Sequence, residues 1–69
     1  MYKIESIGND YWSSTTFRKT LQEALEEYNE ELIAARLNAD IFGPIYVYIM
    51  DADTKEIIAS KSYKDGGDQ

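Results

Sequence analysis

One stretch of the chain is strongly predicted to form a helix, and it limits what the other residues can form. Residues 21–37 read LQEALEEYNEELIAARL and contain no glycine or proline. Thr20 and Glu23 have capping-box spacing, in which the threonine hydroxyl accepts the Glu23 amide and the carboxylate reaches back to the Thr20 amide. Asn38 tolerates the left-handed conformation that often ends a helix. The sequence therefore predicts one helix from Leu21 to about Asn38.

The predicted helix has one apolar side. At about 100° per residue, six residues share that side: Leu21, Ala24, Leu25, Tyr28, Leu32 and Ala35. Ile33 and Leu37 lie off this stripe, so they would need cover from another segment or from a partner. We expect residues 39–44 to form a connection whose Ile41 and Phe42 fold over the helix end.

The segments on both sides of the helix alternate in the manner of β-strands. Residues 2–7 and 11–17 are separated by the turn residues of 8–10, which predicts a first hairpin, although 8–16 could equally be a loop leading into the helix. Residues 45–50 and 57–63 predict a second hairpin. The predicted fold is α+β, with one helix packed on a small antiparallel sheet in the order β-β-α-β-β. The strand order within the sheet stays open.

The DADT motif at 51–54 has two interpretations. In enzymes of the haloacid dehalogenase type, a strand delivers an Asp-x-Asp-x-Thr loop that transfers phosphate, but too few residues follow here to build the βα units of such an enzyme. A calcium-binding EF-hand loop needs glycine and glutamate where Glu56 and Ser62 stand. We interpret the motif as a turn in which Asp51 and Asp53 cap backbone amides.

The length and composition of the chain limit its chemistry. Its 69 residues allow one small domain, which we assign to residues 1–63, with 64–69 as a disordered polar tail. The chain contains no cysteine and no histidine, the usual metal ligands and the commonest general base. We therefore predict no catalytic residue, no metal, no cofactor and no enzymatic activity. Without an apolar span or a signal peptide, the expected location is the cytoplasm, with no membrane partner.

The charge of the chain favours some partners over others. Thirteen acidic and seven basic residues give a formal charge of −6, which argues against direct nucleic-acid binding and favours a partner protein with a basic surface. Five glutamates span an arc of roughly 140° opposite the apolar stripe. They are Glu23, Glu26, Glu27, Glu30 and Glu31. This acidic face is either a solvated surface or a ridge that docks into a basic groove and competes with nucleic acid.

A single helix can cover only one face of the sheet. Alternation places one set of side chains toward the helix: Ile45, Val47 and Ile49. A second set points away: Tyr46, Tyr48 and Met50. Trp12, with Tyr11 or Tyr63, is expected beside this second set. Exposed aromatic and methionine side chains are typical of an interface, here one that could form a homodimer, but tyrosines are also ordinary sheet residues.

The architecture resembles that of small acidic orphan proteins of phages and mobile elements, including anti-CRISPR proteins. The glutamate-rich helix TLQEALEEYNEELIAA and the hairpin IYVYIMDADTKEIIASKSY carry the resemblance. It implies an inhibitor without chemistry of its own, which covers a nucleic-acid-binding surface of a host complex such as a CRISPR effector. The alternative is a small homodimeric structural or accessory domain whose acidic surface serves solubility alone.

Overall fold

The chain forms one helix and one antiparallel sheet. The computed structural model describes residues 1–9 and 12–64, together with the backbone of residues 67 and 68. Its elements in chain order are β1 (Tyr2–Ile7), β2 (Ser13–Arg18), α1 (Leu21–Phe42), β3 (Ile45–Asp51), β4 (Ile57–Lys64) and β5 (Gly67–Asp68). The predicted α+β class and the order β-β-α-β-β are confirmed, with the short β5 added at the end.

Strands β1 and β3, which come from different parts of the chain, are neighbours inside the sheet. The strand order is β2-β1-β3-β4-β5, and every neighbouring pair is antiparallel. The first hairpin is therefore confirmed over the loop alternative, and α1 carries the chain from β2 across β1 to β3. In the hairpin turn, the Gly8 amide donates a hydrogen bond to the Trp12 carbonyl at 2.9 Å. The Trp12 amide donates to the Asn9 carbonyl at 3.1 Å. Asp10 and Tyr11 lie outside the described residues.

The helix begins as predicted and ends later than predicted. The Thr20 hydroxyl accepts a hydrogen bond from the Glu23 amide at 3.2 Å, as predicted. The Glu23 carboxylate lies 3.2 Å from the same hydroxyl, whereas the prediction placed it on the Thr20 amide. The predicted end at Asn38 is wrong, because the helix continues to Phe42 and Gly43 takes the positive φ of 86° at its end. The Asn38 side chain instead donates to the Ala34 carbonyl at 2.7 Å within the helix.

Small residues bring the helix onto the sheet. The buried side chains of α1 are Ala24, Tyr28, Ala35 and Ala39. They pack against the apolar side chains of the sheet's inner face: Ile4, Ile45, Val47, Ile49 and Tyr63. The predicted apolar stripe is right for Ala24, Tyr28 and Ala35. Leu21 and Leu25 remain 41% and 38% exposed because the line of closest approach runs through the alanines and leaves these leucines at its border.

Alternation in β3 separates the two faces of the sheet as predicted. Ile45, Val47 and Ile49 are buried, whereas the side chains between them are partly or fully exposed. Tyr63 was expected on the open face, but it pairs with Ile45 in the register and is buried on the helix side. That part of the prediction is wrong, because the β4 register gives Tyr63 the parity of the inward positions.

Trp12 was also expected on the open face of the sheet, and it lies on the helix side. Its indole Nε1 donates to the hydroxyl of buried Ser6 at 2.6 Å. Its ring centroid is 5.4 Å from that of Phe42, near the end of the helix. The hydrogen bond from the Gly8 amide extends the β1–β2 ladder to Trp12, which therefore has the parity of Ser14, the residue that pairs with buried Ser6.

The C-terminal residues pair with the sheet where they are described. Lys64, the first residue of the predicted disordered tail, belongs to β4, and it pairs with Gly67 while Tyr63 pairs with Asp68. Residues 65, 66 and 69 lie outside the described residues. Within the part of the chain that the structure describes, no helix is long and apolar enough to cross a membrane.

Candidate protein-interaction surfaces

One line of exposed side chains runs along the helix on the side away from the sheet. We call this line the outer seam, and its residues are Glu23, Glu26, Glu30, Ile33, Leu37 and Ile41. Their spacings of three and four residues keep them on one side of a helix that turns by about 100° per residue. The seam rises by about 27 Å from its first residue to its last at about 1.5 Å per residue.

The outer seam changes character along its length. Its N-terminal half presents carboxylates, and its C-terminal half presents Ile33, Leu37 and Ile41, which are 61%, 69% and 72% exposed. Single exposed apolar residues are ordinary, but three on consecutive turns form a continuous apolar surface. The sequence already left Ile33 and Leu37 without cover. Ile41 joins them because the helix extends through it.

The five predicted glutamates do not form one uniform surface. Glu27 is held by Arg18, whose Nη2 lies 2.8 Å from its Oε1. Glu31 is partly buried toward β2, and burial, followed by the charges of Glu27 and Glu30, raises the pKa of its carboxyl. Glu23 belongs to the helix cap. Among the described residues, Glu26 and Glu30 form no ion pair, and both are exposed.

A polar network occupies the middle of the open sheet face. Glu5 accepts hydrogen bonds from the Tyr48 hydroxyl and, at 3.2 Å, from the Thr15 hydroxyl. The Lys3 ammonium lies 3.4 Å from the same carboxylate and 6.0 Å from the centre of the Tyr48 ring. The Tyr48 hydrogen bond is the main cause that lowers the pKa of Glu5 and raises the pKa of Tyr48. The charged groups at the centre of this face, Lys3 and Glu5, therefore have partners within the chain.

Apolar side chains lie at both ends of that network. Of the three predicted face residues, Tyr46 and Tyr48 contact each other with ring centroids 5.8 Å apart, and Met50 lies one position further along the same face. The register adds three side chains that the sequence did not single out: Ile7 opposite Tyr46, Phe17 opposite Lys3, and Ile57 opposite Met50. Alternation within β1 and β2 carried that signal for Ile7 and Phe17.

The DADT motif forms a turn, as interpreted. One oxygen of Asp51 accepts the amides of Asp53 at 2.9 Å and Thr54 at 3.3 Å. Lys55 takes a positive φ of 69° as the chain returns toward β4. Asp53 was expected to cap an amide too, but its carboxylate lies 3.4 Å from the N-terminal ammonium at an exposed position.

A groove lies between β2 and α1, and local patterns in the sequence gave no sign of it. It has a volume of about 260 Å³, and its lining consists of Trp12, Ser13, Ser14, Glu31 and Ala34. A glutamate, a tryptophan and a serine on the helix side of β2 therefore line one small space. They meet there because β2 packs beside the middle of the helix.

Comparison with known proteins returns no relative. The chain matches no protein-family model, no curated protein and no solved structure. Within the described residues, no group of three or more histidine, cysteine, aspartate or glutamate side chains is placed to hold a metal ion. The function proposed below rests on the surfaces of the molecule.

Proposed function

We propose that this chain is a non-enzymatic protein-binding module whose outer seam docks onto a partner with a basic surface. The observation that carries the proposal is the continuity of the seam, in which exposed carboxylates lead directly into exposed Ile33, Leu37 and Ile41. A complementary surface has lysine or arginine at one end and an apolar groove at the other. Helix-in-groove binding uses this spacing of anchors on successive turns.

The acidic half of the seam favours a cationic partner. Glu26 and Glu30 are four residues apart on one helix face, where like charges destabilise a helix by about 0.2–0.5 kcal/mol per pair. No ion pair among the described residues offsets that repulsion. A cation of the partner would relieve it, and the acidic surface would speed the encounter with a basic protein.

The apolar half of the seam is expected to supply most of the affinity. Fully burying an isoleucine or leucine side chain is worth about 1.5–3 kcal/mol relative to leaving it exposed. Leu37 is flanked on the same face by Ile33 and Ile41, so the three can enter one groove together. Their exposure in the free chain means that docking would bury them without any rearrangement of the fold.

An inhibitory role fits such a module. A basic surface that receives Glu26 and Glu30 would have the charge of a nucleic-acid-binding surface, since neutralisation of phosphates supplies much of the affinity for nucleic acid. The docked helix would then exclude nucleic acid by occupying that surface, with no chemical step. This role agrees with the resemblance to anti-CRISPR inhibitors, and a CRISPR effector complex is one partner of this kind.

Charge reversal with a matched control tests the proposal. The immobilised chain is used to capture proteins from a bacterial lysate at low and at high salt, beside two variants with the same net charge. One variant carries Glu26→Lys and Glu30→Lys in the outer seam. The control carries Asp53→Lys and Glu56→Lys in the exposed turn before β4.

We expect a partner that the wild type and the control variant retain at low salt and release as salt rises. The seam variant, and separately Leu37→Gln, should retain at least tenfold less of it. Added nucleic acid should displace the captured partner from the wild type. If both double variants bind the partner equally well with the same salt dependence, the outer seam is not the docking surface.

A second candidate function is a homodimeric structural or accessory domain that pairs through the open sheet face. The observation that favours it is the exposure of Ile7, Phe17, Tyr46 and Ile57 on that face. Light scattering at low and high salt separates the two functions. A dimer that persists at high salt and becomes a monomer in Tyr46→Lys supports the sheet-face dimer, whereas a monomer at both salt concentrations contradicts it.

A further inference from the structure

Strand β2 lies at one edge of the sheet, so part of its backbone faces away from every other described strand. It is the first strand in the order β2-β1-β3-β4-β5, and it has six residues, whereas β5 at the opposite edge has two. The Gly8 amide bonds the Trp12 carbonyl, and hydrogen-bonded pairs alternate along an antiparallel ladder. The backbone groups of Ser13, Thr15 and Phe17 therefore point outward, away from β1, and among them the Phe17 carbonyl already accepts a hydrogen bond from the Arg18 guanidinium at 2.9 Å.

Most of this edge lacks the usual protection against a further strand. Residues 13–17 read SSTTF, with no proline and no charged residue, and their register with β1 has no bulge; the charged residue of the strand is Arg18 at its end. Natural sheets commonly protect exposed edges with such features. An unprotected edge accepts an extended segment through main-chain hydrogen bonds, while pockets beside the strand select its side chains.

The groove beside β2 provides one such pocket. Its lining includes Glu31, Ser14 and Trp12, together with Ser13, whose strand position gives it the parity of the open face. The indole is held in place by its 2.6 Å hydrogen bond to Ser6 and by its contact with Phe42. A fixed aromatic ring beside a glutamate and a serine is suited to a cation, and most of all to a planar guanidinium.

The molecule already contains one guanidinium–carboxylate contact of the kind that we expect in this groove. Arg18, near the far end of the same strand, reaches across the gap between β2 and α1 and bonds Glu27 at 2.8 Å. Glu31 lies one helical turn beyond Glu27, and it forms no ion pair among the described residues. The carboxylate is partly buried beside other glutamates, an arrangement that a second guanidinium would neutralise.

We propose that this groove binds the arginine side chain of an extended segment that pairs with β2 as an added strand. The segment's backbone would form hydrogen bonds with the outward amides and carbonyls of Ser13 and Thr15 and with the amide of Phe17. Its arginine would lie on the helix side, with the guanidinium on Glu31 and against Trp12. This site is on the flank of the helix, so it is separate from the outer seam and does not depend on the function proposed above.

Titration with a short peptide tests the site, because the chain has a single tryptophan and it lines the groove. The probe is the acetylated and amidated peptide TVRVT, which favours an extended conformation. Its matched control replaces the arginine by citrulline, which keeps the shape and removes the charge. A third peptide is methylated on alternate backbone nitrogens, so that it cannot form a strand pair.

We expect a saturable change in Trp12 fluorescence with the arginine peptide. Binding should weaken at least tenfold with the citrulline peptide, with the methylated peptide and with the Glu31→Gln variant. The matched variant Glu30→Gln removes the same charge from the adjacent residue on the outer face, and it should change binding less than twofold. Amide exchange of Ser13, Thr15 and Phe17 should slow when the peptide is bound.

Several results would overturn the proposal. One is the absence of a saturable signal, and another is equal binding of the arginine and citrulline peptides. Equal weakening by Glu30→Gln and Glu31→Gln would show attraction by net charge alone. Equal binding of the methylated peptide would remove the strand pairing. Slow exchange of the β2 amides without peptide, together with a dimeric mass, would assign this edge to a second copy of the chain.

Discussion

The two sides of the same helix contrast in an unexpected way. The side toward the sheet buries Ala24, Ala35 and Ala39, whereas the opposite side exposes larger Ile33, Leu37 and Ile41. Hydrophobicity alone would orient the helix the other way at its C-terminal half. Small side chains allow the helix backbone to approach the sheet closely, so the core of this protein is selected by space as much as by polarity.

The two sides of the helix therefore have different roles: the inner residues are needed for folding, and the outer apolar residues are not. The inner alanines are fixed by the distance between helix and sheet, and replacing them should disturb the fold. The outer apolar residues contribute little to any contact within the chain, so replacing them should affect binding far more than folding. Substitutions on the two sides of the helix should therefore differ in their effect on the free energy of unfolding.

Enlarging a buried alanine should have the largest effect. Ala35→Leu adds three carbon atoms where the helix lies against the sheet, and overpacking of this kind costs about 1–3 kcal/mol in free energy of unfolding. Urea unfolding measures that cost. The control is Asn29→Leu, which introduces the same side chain at an exposed position of the helix. If Ala35→Leu is as stable as the wild type, the helix does not pack closely against the sheet at this point.

Glu31, on the flank between the two sides of the helix, should give a smaller effect that depends on pH. Its folded pKa is raised, mainly by burial, so ionisation of Glu31 weakens the fold. The stability that goes with the protonated form is lost as the pH rises through this raised pKa. We therefore expect Glu31→Gln to be more stable than the wild type at pH 7 and to lose that advantage as the pH is lowered.

Glu5, on the open sheet face, should show the opposite dependence. Its folded pKa is lowered, mainly by the Tyr48 hydrogen bond, so its contribution is present above the ordinary carboxyl pKa and is lost as the pH falls through the lowered value. Glu5→Gln should therefore be less stable than the wild type at pH 7 and approach it in acid. Thermal unfolding from pH 7 to pH 3 measures both variants. Parallel curves for the two would contradict the assignment of these shifts.

Replacing outer residues should have the smallest effect on stability. Leu37→Gln is expected to change the free energy of unfolding by no more than about 0.5 kcal/mol, as for most surface substitutions. Leu32→Gln serves as the comparison, because Leu32 packs partly against the core and should cost clearly more. If the two variants lose equal stability, Leu37 has a structural role and its exposure is not available for a partner.

Part of this fold could be predicted because its signals are local. The capping pair at Thr20 and Glu23 and the alternation of residues 45–50 involve neighbours in the chain, and they gave the helix start and the two faces of β3 correctly. The helix end was missed because Asn38 permits a cap but does not require one. The chain instead continued to the first residue pair that stops a helix, Gly43 and Pro44.

The features that were predicted wrongly or missed depend on distant parts of the chain. Trp12 faces inward and donates to the Ser6 hydroxyl, and its side depends on the register between β1 and β2, which the sequence around Trp12 alone does not give. The strand order and the groove at Glu31 arise only when α1 crosses the sheet. The sequence predicted part of the outer seam, since it indicated exposed positions for Glu26, Glu30, Ile33 and Leu37. It did not predict that the seam continues to Ile41, because the predicted helix ended before that residue.

The central position of β1 has a consequence for how the protein is made. Tyr2 pairs with Asp51, so β1 must wait for β3, which is synthesised much later, before the two strands can pair. At about 5–20 residues per second, this delay is on the order of 2–10 seconds. A two-stranded hairpin is marginally stable alone, so the nascent β1 and β2 gain little from pairing early. The newly made chain therefore stays open to chaperones and proteases until translation has passed β3.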